Sequence, residues 1–428
     1  MSGSPTDEFA RRNLGVAPSR SGCYHRSSKQ WSNDVAAGEY APRCVEITLA
    51  WARRRYKYIG SRNGGEVTTV SLTAQLRGGE LAAWCASRLP GTAVLAAEIS
   101  AAARQRKPVR PASGRVAPRW WAEIGGAFGA RLAAVVEPSP PYYALYGLAS
   151  AGVVSRAWAD AQAGEWPTHS GLRPRELRRA LELRPSPTGW RDLGGPTGTR
   201  VARGPAEPVL GEWFARARRY LAEHAPPGQL GTSGAEAGLA RVFWLVSAFE
   251  DAYRSGDPGP VVELFGVSSS VDTLHGVAPA AAVAELVELA QLLRESGSLD
   301  RLRALAGDSG PGLGWAGPVF AHHWADGDLV VGDTLLDVKT VIRTDDVERA
   351  SRWLWQLLGY AWLDVHDRWR IRAVGLYLAR HGLVLTWPAD EFAARLLGGR
   401  GANQLQARDE FLAVATRVLT AEGSQLLA

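Results

Sequence analysis

Lysine is scarce in this chain, at four residues against 45 arginines. Cysteine and methionine are scarcer, at three and one. Cys23, Cys44 and Cys85 form no Cys-x-x-Cys pair. That excludes a disulfide framework and a cysteine-built zinc site, and it is the cysteine usage expected of a reducing cytoplasm. No run approaches 18 uninterrupted apolar residues, so a membrane-spanning helix is not expected. Met1 to Arg12 carries charge but no apolar core, unlike a secretory signal. There is no glycine-rich lysine loop for nucleotide phosphates and no nucleophile elbow. An ATP-driven motor, if one takes part, is therefore another protein.

Against that arginine bias, Lys339 stands in Ala325-Asp-Gly-Asp-Leu-Val-Val-Gly-Asp-Thr-Leu-Leu-Asp-Val-Lys-Thr340. An ammonium is compact and its pKa can be shifted, whereas a guanidinium is broad, planar and permanently charged. Two short runs rich in β-formers, Asp328 to Val331 and Thr334 to Thr340, flank Gly332-Asp333, a two-residue hairpin signal. A two-residue loop sets Asp328 opposite Asp337 and Asp326 opposite Lys339. Alternation then puts Asp326, Asp328, Val330, Leu335, Asp337 and Lys339 on one face. Directly opposed like charges destabilise a sheet. A divalent cation would supply the reason for them: Mg²⁺ takes one or two carboxylates and keeps waters and phosphate oxygens as its other ligands. Mn²⁺ would be an acceptable substitute. The pattern points to a metal-dependent phosphodiester-cleaving site.

Downstream, Asp345 to Asp364 reads as a helix capped by Asp345 or Asp346. Gln356 and Tyr360 are four apart and share a face of it. Ile371 to Leu378 and Leu383 to Trp387 read as two more strands around an Arg-His-Gly turn. The elements Asp328, Asp337-Val-Lys339 and Gln356-Leu-Leu-Gly-Tyr360 resemble the PD-(D/E)xK nuclease superfamily, in particular its RecB-like branch. The resemblance covers about residues 318–387. It implies that Asp328 and Asp337 bind Mg²⁺, that Lys339 assists the attacking water, and that Gln356 and Tyr360 shape the site and contact nucleic acid. Asp326 is an alternative ligand to Asp328. The family also carries a glutamate on a preceding helix. Glu236, which opens an apolar helix over Ala235 to Tyr253 together with Glu250, is the preferred candidate; Glu285 and Glu288 are the others.

The remaining chain reads as a tail without periodicity over residues 1–45, a basic, mostly helical domain over 46–208, and a nuclease-like domain over 209–428. The expected class is α/β: a largely helical N-terminal region, then a restriction-endonuclease-like core of mixed sheet flanked by helices, with the 328–340 hairpin at its active edge. Residues 1–230 hold 32 basic and 18 acidic residues, and 231–428 hold 17 and 25. A basic N-terminal half could supply sequence-independent phosphate contacts to an otherwise acidic catalytic half. Candidate strips are Arg53 to Lys57, Arg104 to Arg115 and Arg173 to Arg184. The expected function is Mg²⁺-dependent hydrolysis of nucleic acid, DNA first, in a setting such as defence or repair. The expected location is cytoplasmic, with no membrane contact, and protein partners or self-association are open to it. The alternative is an inactive nuclease scaffold serving as a binding or interaction module.

Overall fold

The chain from Gly314 onward builds a mixed five-stranded sheet that accounts for the placement of everything else. A separate two-stranded hairpin, β1 (Leu183–Ser186) with β2 (Gly189–Asp192), comes before it in sequence. The strands of the main sheet are β3 (Gly314–Ala316), β6 (Leu329–Val331), β7 (Thr334–Lys339), β8 (Ala373–Leu378) and β9 (Leu383–Pro388), in the spatial order β3-β6-β7-β8-β9. A computed structural model describes residues 71–112, 116–166, 183–186, 189–192, 206–255, 259–265, 269–308, 312–321, 324–399, 403–421 and 426. The expected tail over 1–45, the strip Arg53 to Lys57 and residues 173–182 of the third strip lie outside the described residues.

The hairpin has the register expected of a two-residue loop, with Val331 opposite Thr334 and Leu329 opposite Leu336. Gly332 takes φ +60°, and Asp333 is not among the positive-φ residues, the pattern of a type II′ turn. A side chain at Gly332 would meet the Leu305 carbonyl oxygen at 2.2 Å, so the turn has no room for one. β7 then pairs in parallel with β8, which requires a crossover. Helix α13 (Val347–Leu363) supplies it.

Alternation along the hairpin divides the sheet into two buried faces, as the sequence predicts. Val330 and Leu335 join Val374, Leu376 and Leu378 under α13. Leu329, Val331 and Leu336 join Tyr377 on the opposite face. The first face is covered by α1 (Leu72–Gly78), α2 (Glu80–Arg88), α3 (Thr92–Arg104), α13, α14 (Ala389–Leu396) and α15 (Gln404–Ala421). The second is covered by α4 (Pro118–Val136), α8 (Ser233–Ser255), α11 (Ala280–Glu295) and α12 (Ser298–Ala306). A third apolar cluster joins α8 to α5 (Tyr142–Ser150), α6 (Arg156–Gly164) and α7 (Ala206–His224), with the short helices α9 (Gly259–Val262) and α10 (Val271–His275) adding Val261 and Leu274.

Among the described residues there are 15 helices, and the class is α/β. Two features differ from the sequence reading. The hairpin lies inside the sheet, not at its edge, because β3 and β8 flank it on both sides. Helices α1 to α4, all before residue 208, share their cores with the sheet, and the described residues all fall in one compact unit spanning Pro42–Ala428. No described helix is long and apolar enough to cross a membrane.

Candidate active site

Asp337 and Lys339 end β7, two residues apart on the face that meets α13. Asp337 is 2% exposed. Its Oδ2 is ion-paired with the Lys339 Nζ at 2.5 Å and accepts no other hydrogen bond among the described residues. Asp328 sits just beyond the last paired residue of β6, and its Oδ2 accepts the Val338 backbone N–H at 2.7 Å. That bond fixes Asp328 across from β7, where the hairpin register puts it beside Asp337. Crowding by surrounding protein and the Asp337 charge push the Asp328 carboxyl up to about 7. Asp328 itself is exposed to water, so the neighbouring charge is the cause that carries more weight. The Asp337 charge disfavours ionisation of Asp328, and the two neighbouring carboxylates form a set of hard oxygen donors that a divalent cation fits.

The helix brings the next layer. Asp346 caps α13 by accepting the Arg349 N–H at 3.0 Å, and Leu354, Leu357 and Leu358 bury its apolar side. That orientation turns Gln356 and Tyr360 toward the end of β7. Lys339 Nζ donates to Gln356 Oε1 at 3.3 Å, and Gln356 Nε2 donates to the Tyr360 hydroxyl at 2.7 Å. The Tyr360 ring stacks on Phe320, with centroids 5.2 Å apart and planes 18° from parallel. Burial, with the charges of Asp326 and Asp337, holds the Tyr360 phenol well above its usual range. It therefore stays protonated and keeps an O–H to donate. The amide is thus oriented at both ends and aims the ammonium.

Asp326 departs from the expected register. Gly327 N–H donates to the Pro318 carbonyl at 2.8 Å, and Gly317 N–H to the Asp328 carbonyl at 2.9 Å. The strand breaks there, and β5 (Ala325–Asp326) pairs with β4 (Val319–Ala321) instead of continuing along β7. Asp326 therefore does not face Lys339. Its Oδ2 accepts from Arg254 Nη2 at 2.8 Å and from the Tyr143 hydroxyl at 3.3 Å. It remains close enough for its charge to raise Asp328 and Tyr360 further.

The helical glutamates fall in four different places. Glu236 is buried at the start of α8, where both its oxygens take Arg131, at 2.9 and 2.8 Å, and Oε1 also accepts the Gly231 N–H at 2.7 Å. It is committed to holding α8 on α4. Glu285 is buried on α11 against Arg380 and accepts the Trp120 indole N–H at 2.8 Å. Glu288 is exposed. Glu250, at the other end of α8, receives Arg254 Nε at 2.6 Å, and Arg254 links it to Asp326. Glu250 is the one of the four linked to Asp326, while Glu285 reaches the end of β7 through Arg380, whose Nε donates to the Thr340 carbonyl. Arg254 and Tyr143 carry no local sequence signal for this; Arg254 reaches Asp326 across 72 residues of chain.

Among the described residues, no group of three or more His, Cys, Asp and Glu side chains comes together to hold an ion. Family models, curated proteins and solved structures yield no significant match to this chain.

Proposed function

We propose that the chain is a divalent-metal-dependent nuclease with a restriction-endonuclease-like core, acting on nucleic-acid phosphodiesters, DNA first. One observation carries the reading: the buried Asp337 carboxylate, beside the Asp328 carboxylate and paired with an ammonium that an amide also holds. Asp328 and Asp337 would hold Mg²⁺ or Mn²⁺. When bound, such an ion supplies Lewis-acid stabilisation of phosphoryl charge and lowers the pKa of its water. Lys339 holds positive charge where negative charge develops on the phosphate, and acts without reorganising because Gln356 has already fixed it. Tyr360 supports Gln356 and keeps a proton at the site.

A second reading, a binding module on the same scaffold, is favoured by the commitment of Glu236 and Glu285 to buried arginines. Incubating supercoiled plasmid with Mg²⁺ or Mn²⁺ separates the two. The wild-type protein is expected to nick it, and Asp337→Ala and Lys339→Ala to lose that activity. Cleavage that survives both substitutions would remove the site assignment; no cleavage by any form would favour the binding module.

A further inference from the structure

We propose that the segment Arg104 to Arg110 is a phosphate-backbone contact strip for the nucleic acid cleaved at the β7 site, an inference that rests on the nuclease reading. Topology places it there. α3 packs in the layer that contains α13, joined to it by the Trp355 indole N–H donating to Thr92 Oγ1 at 3.1 Å. α4 packs in the opposite layer. The connection between them must therefore cross from one side of the sheet to the other. It crosses at the carboxyl ends of the parallel strands β7 and β8, the edge where open α/β sheets take their ligands.

The crossing is pinned. Val109 N–H donates to the Arg380 carbonyl at 2.8 Å, and Arg380 Nη1 donates back to the Val109 carbonyl at 3.2 Å. Arg380 is fully buried, and its Nε donates to the Thr340 carbonyl at 2.9 Å. Thr340 is the residue after Lys339. Arg380 also pairs with Glu285 and lies over the Trp121 ring at 4.7 Å. One arginine thus ties the basic segment to the end of the catalytic strand.

The segment itself is built for phosphate. Arg104, Arg106, Lys107 and Arg110 are exposed, and none has an acidic partner among the described residues. Lys107 and Arg110 each precede a proline, which disfavours continuation of α3 through them. A strip of cations whose backbone is already held by the end of α3 and by Val109 gives up little chain entropy when it meets a phosphate row. It would offset the repulsion expected from the acidic hairpin.

The test is binding of a fluorescein-labelled DNA duplex in EDTA, followed by anisotropy across a salt series. The variant is Arg106→Ser with Lys107→Ser and Arg110→Ser; a matched control is Arg216→Ser with Arg218→Ser and Arg219→Ser on α7, with melting curves for both. Each phosphate left without its cation lowers the salt slope by about 0.9 for duplex DNA, so the slope of the strip variant should fall by up to about 2.7. The control should keep wild-type slope and affinity. Wild-type binding in the strip variant, equal weakening in strip variant and control, or no duplex binding by any form would each overturn the inference. Strip-dependent binding without Mg²⁺-dependent cleavage would remove the nuclease reading and keep the strip only as a phosphate contact; cleavage with strip-independent binding would overturn the strip and keep the nuclease reading.

Discussion

Glu236→Ala separates a structural glutamate from a catalytic one. The carboxylate makes a two-pronged pair with Arg131, at 2.9 and 2.8 Å, and takes a backbone N–H as a third bond. Both side chains are about 5% exposed or less. Removing one member strands a buried guanidinium, and breaking such a pair costs about 3–5 kcal/mol. For a unit spanning Pro42–Ala428, an unfolding entropy of about 2.1 cal/mol/K per residue gives roughly 1.2 °C per kcal/mol, so the melting midpoint should fall by roughly 4–6 °C. Arg131→Met combined with Glu236→Leu should recover most of that loss, because two apolar groups of similar volume can replace a buried pair at little net cost. At a temperature where the variant stays folded, Mg²⁺-dependent nicking should continue near the wild-type rate. The assay is thermal melting beside plasmid nicking. A Glu236→Ala protein with an unchanged midpoint and no cleavage would overturn the structural role and return Glu236 to the site.

Other outcomes follow from the same geometry. The Asp337 charge raises the Asp328 pKa above its unfolded value, so the metal-free fold holds a proton that the unfolded chain releases, and its stability contribution falls as pH rises above the usual carboxylate range. Added Mg²⁺ should therefore raise the melting midpoint more at pH 8 than at pH 5; equal shifts would contradict the assignment. Asp326→Asn should keep the Mg²⁺-induced shift, because Asp326 is engaged by Arg254, whereas Asp328→Asn should abolish it. Loss of the shift in Asp326→Asn alone would exchange the two roles. Tyr360→Phe removes one buried hydrogen bond and should cost about 1 kcal/mol in urea unfolding while the Phe320 stack persists; a cost near zero would mean that the phenol does not hold Gln356.

The parts of the site that were legible in the sequence are those fixed by short-range rules. Gly332-Asp333 set the turn, the turn set the register, and period-two alternation put Asp337 and Lys339 on the face away from Leu336. Spacing by four did the same for Gln356 and Tyr360. Asp326 failed because a strand can change partner: two glycine N–H groups, at 317 and 327, bond elsewhere and end the pairing. The pairing of Glu236 was not legible because its partner, Arg131, lies 105 residues away, and helical periodicity shows that a residue is buried without showing what it meets. The hairpin's place within the sheet was hidden for a related reason, since β3 and β8 reach it only through tertiary packing.

A calorimetric titration of the metal-free protein with Mn²⁺, beside the same titration of Asp337→Asn, bears on the cation site without any assumption about substrate. One Mn²⁺ per chain is expected in the wild type and none at that site in the variant, with both proteins folded by circular dichroism. Equal binding by the two proteins, or none by either, would contradict a cation held between Asp328 and Asp337.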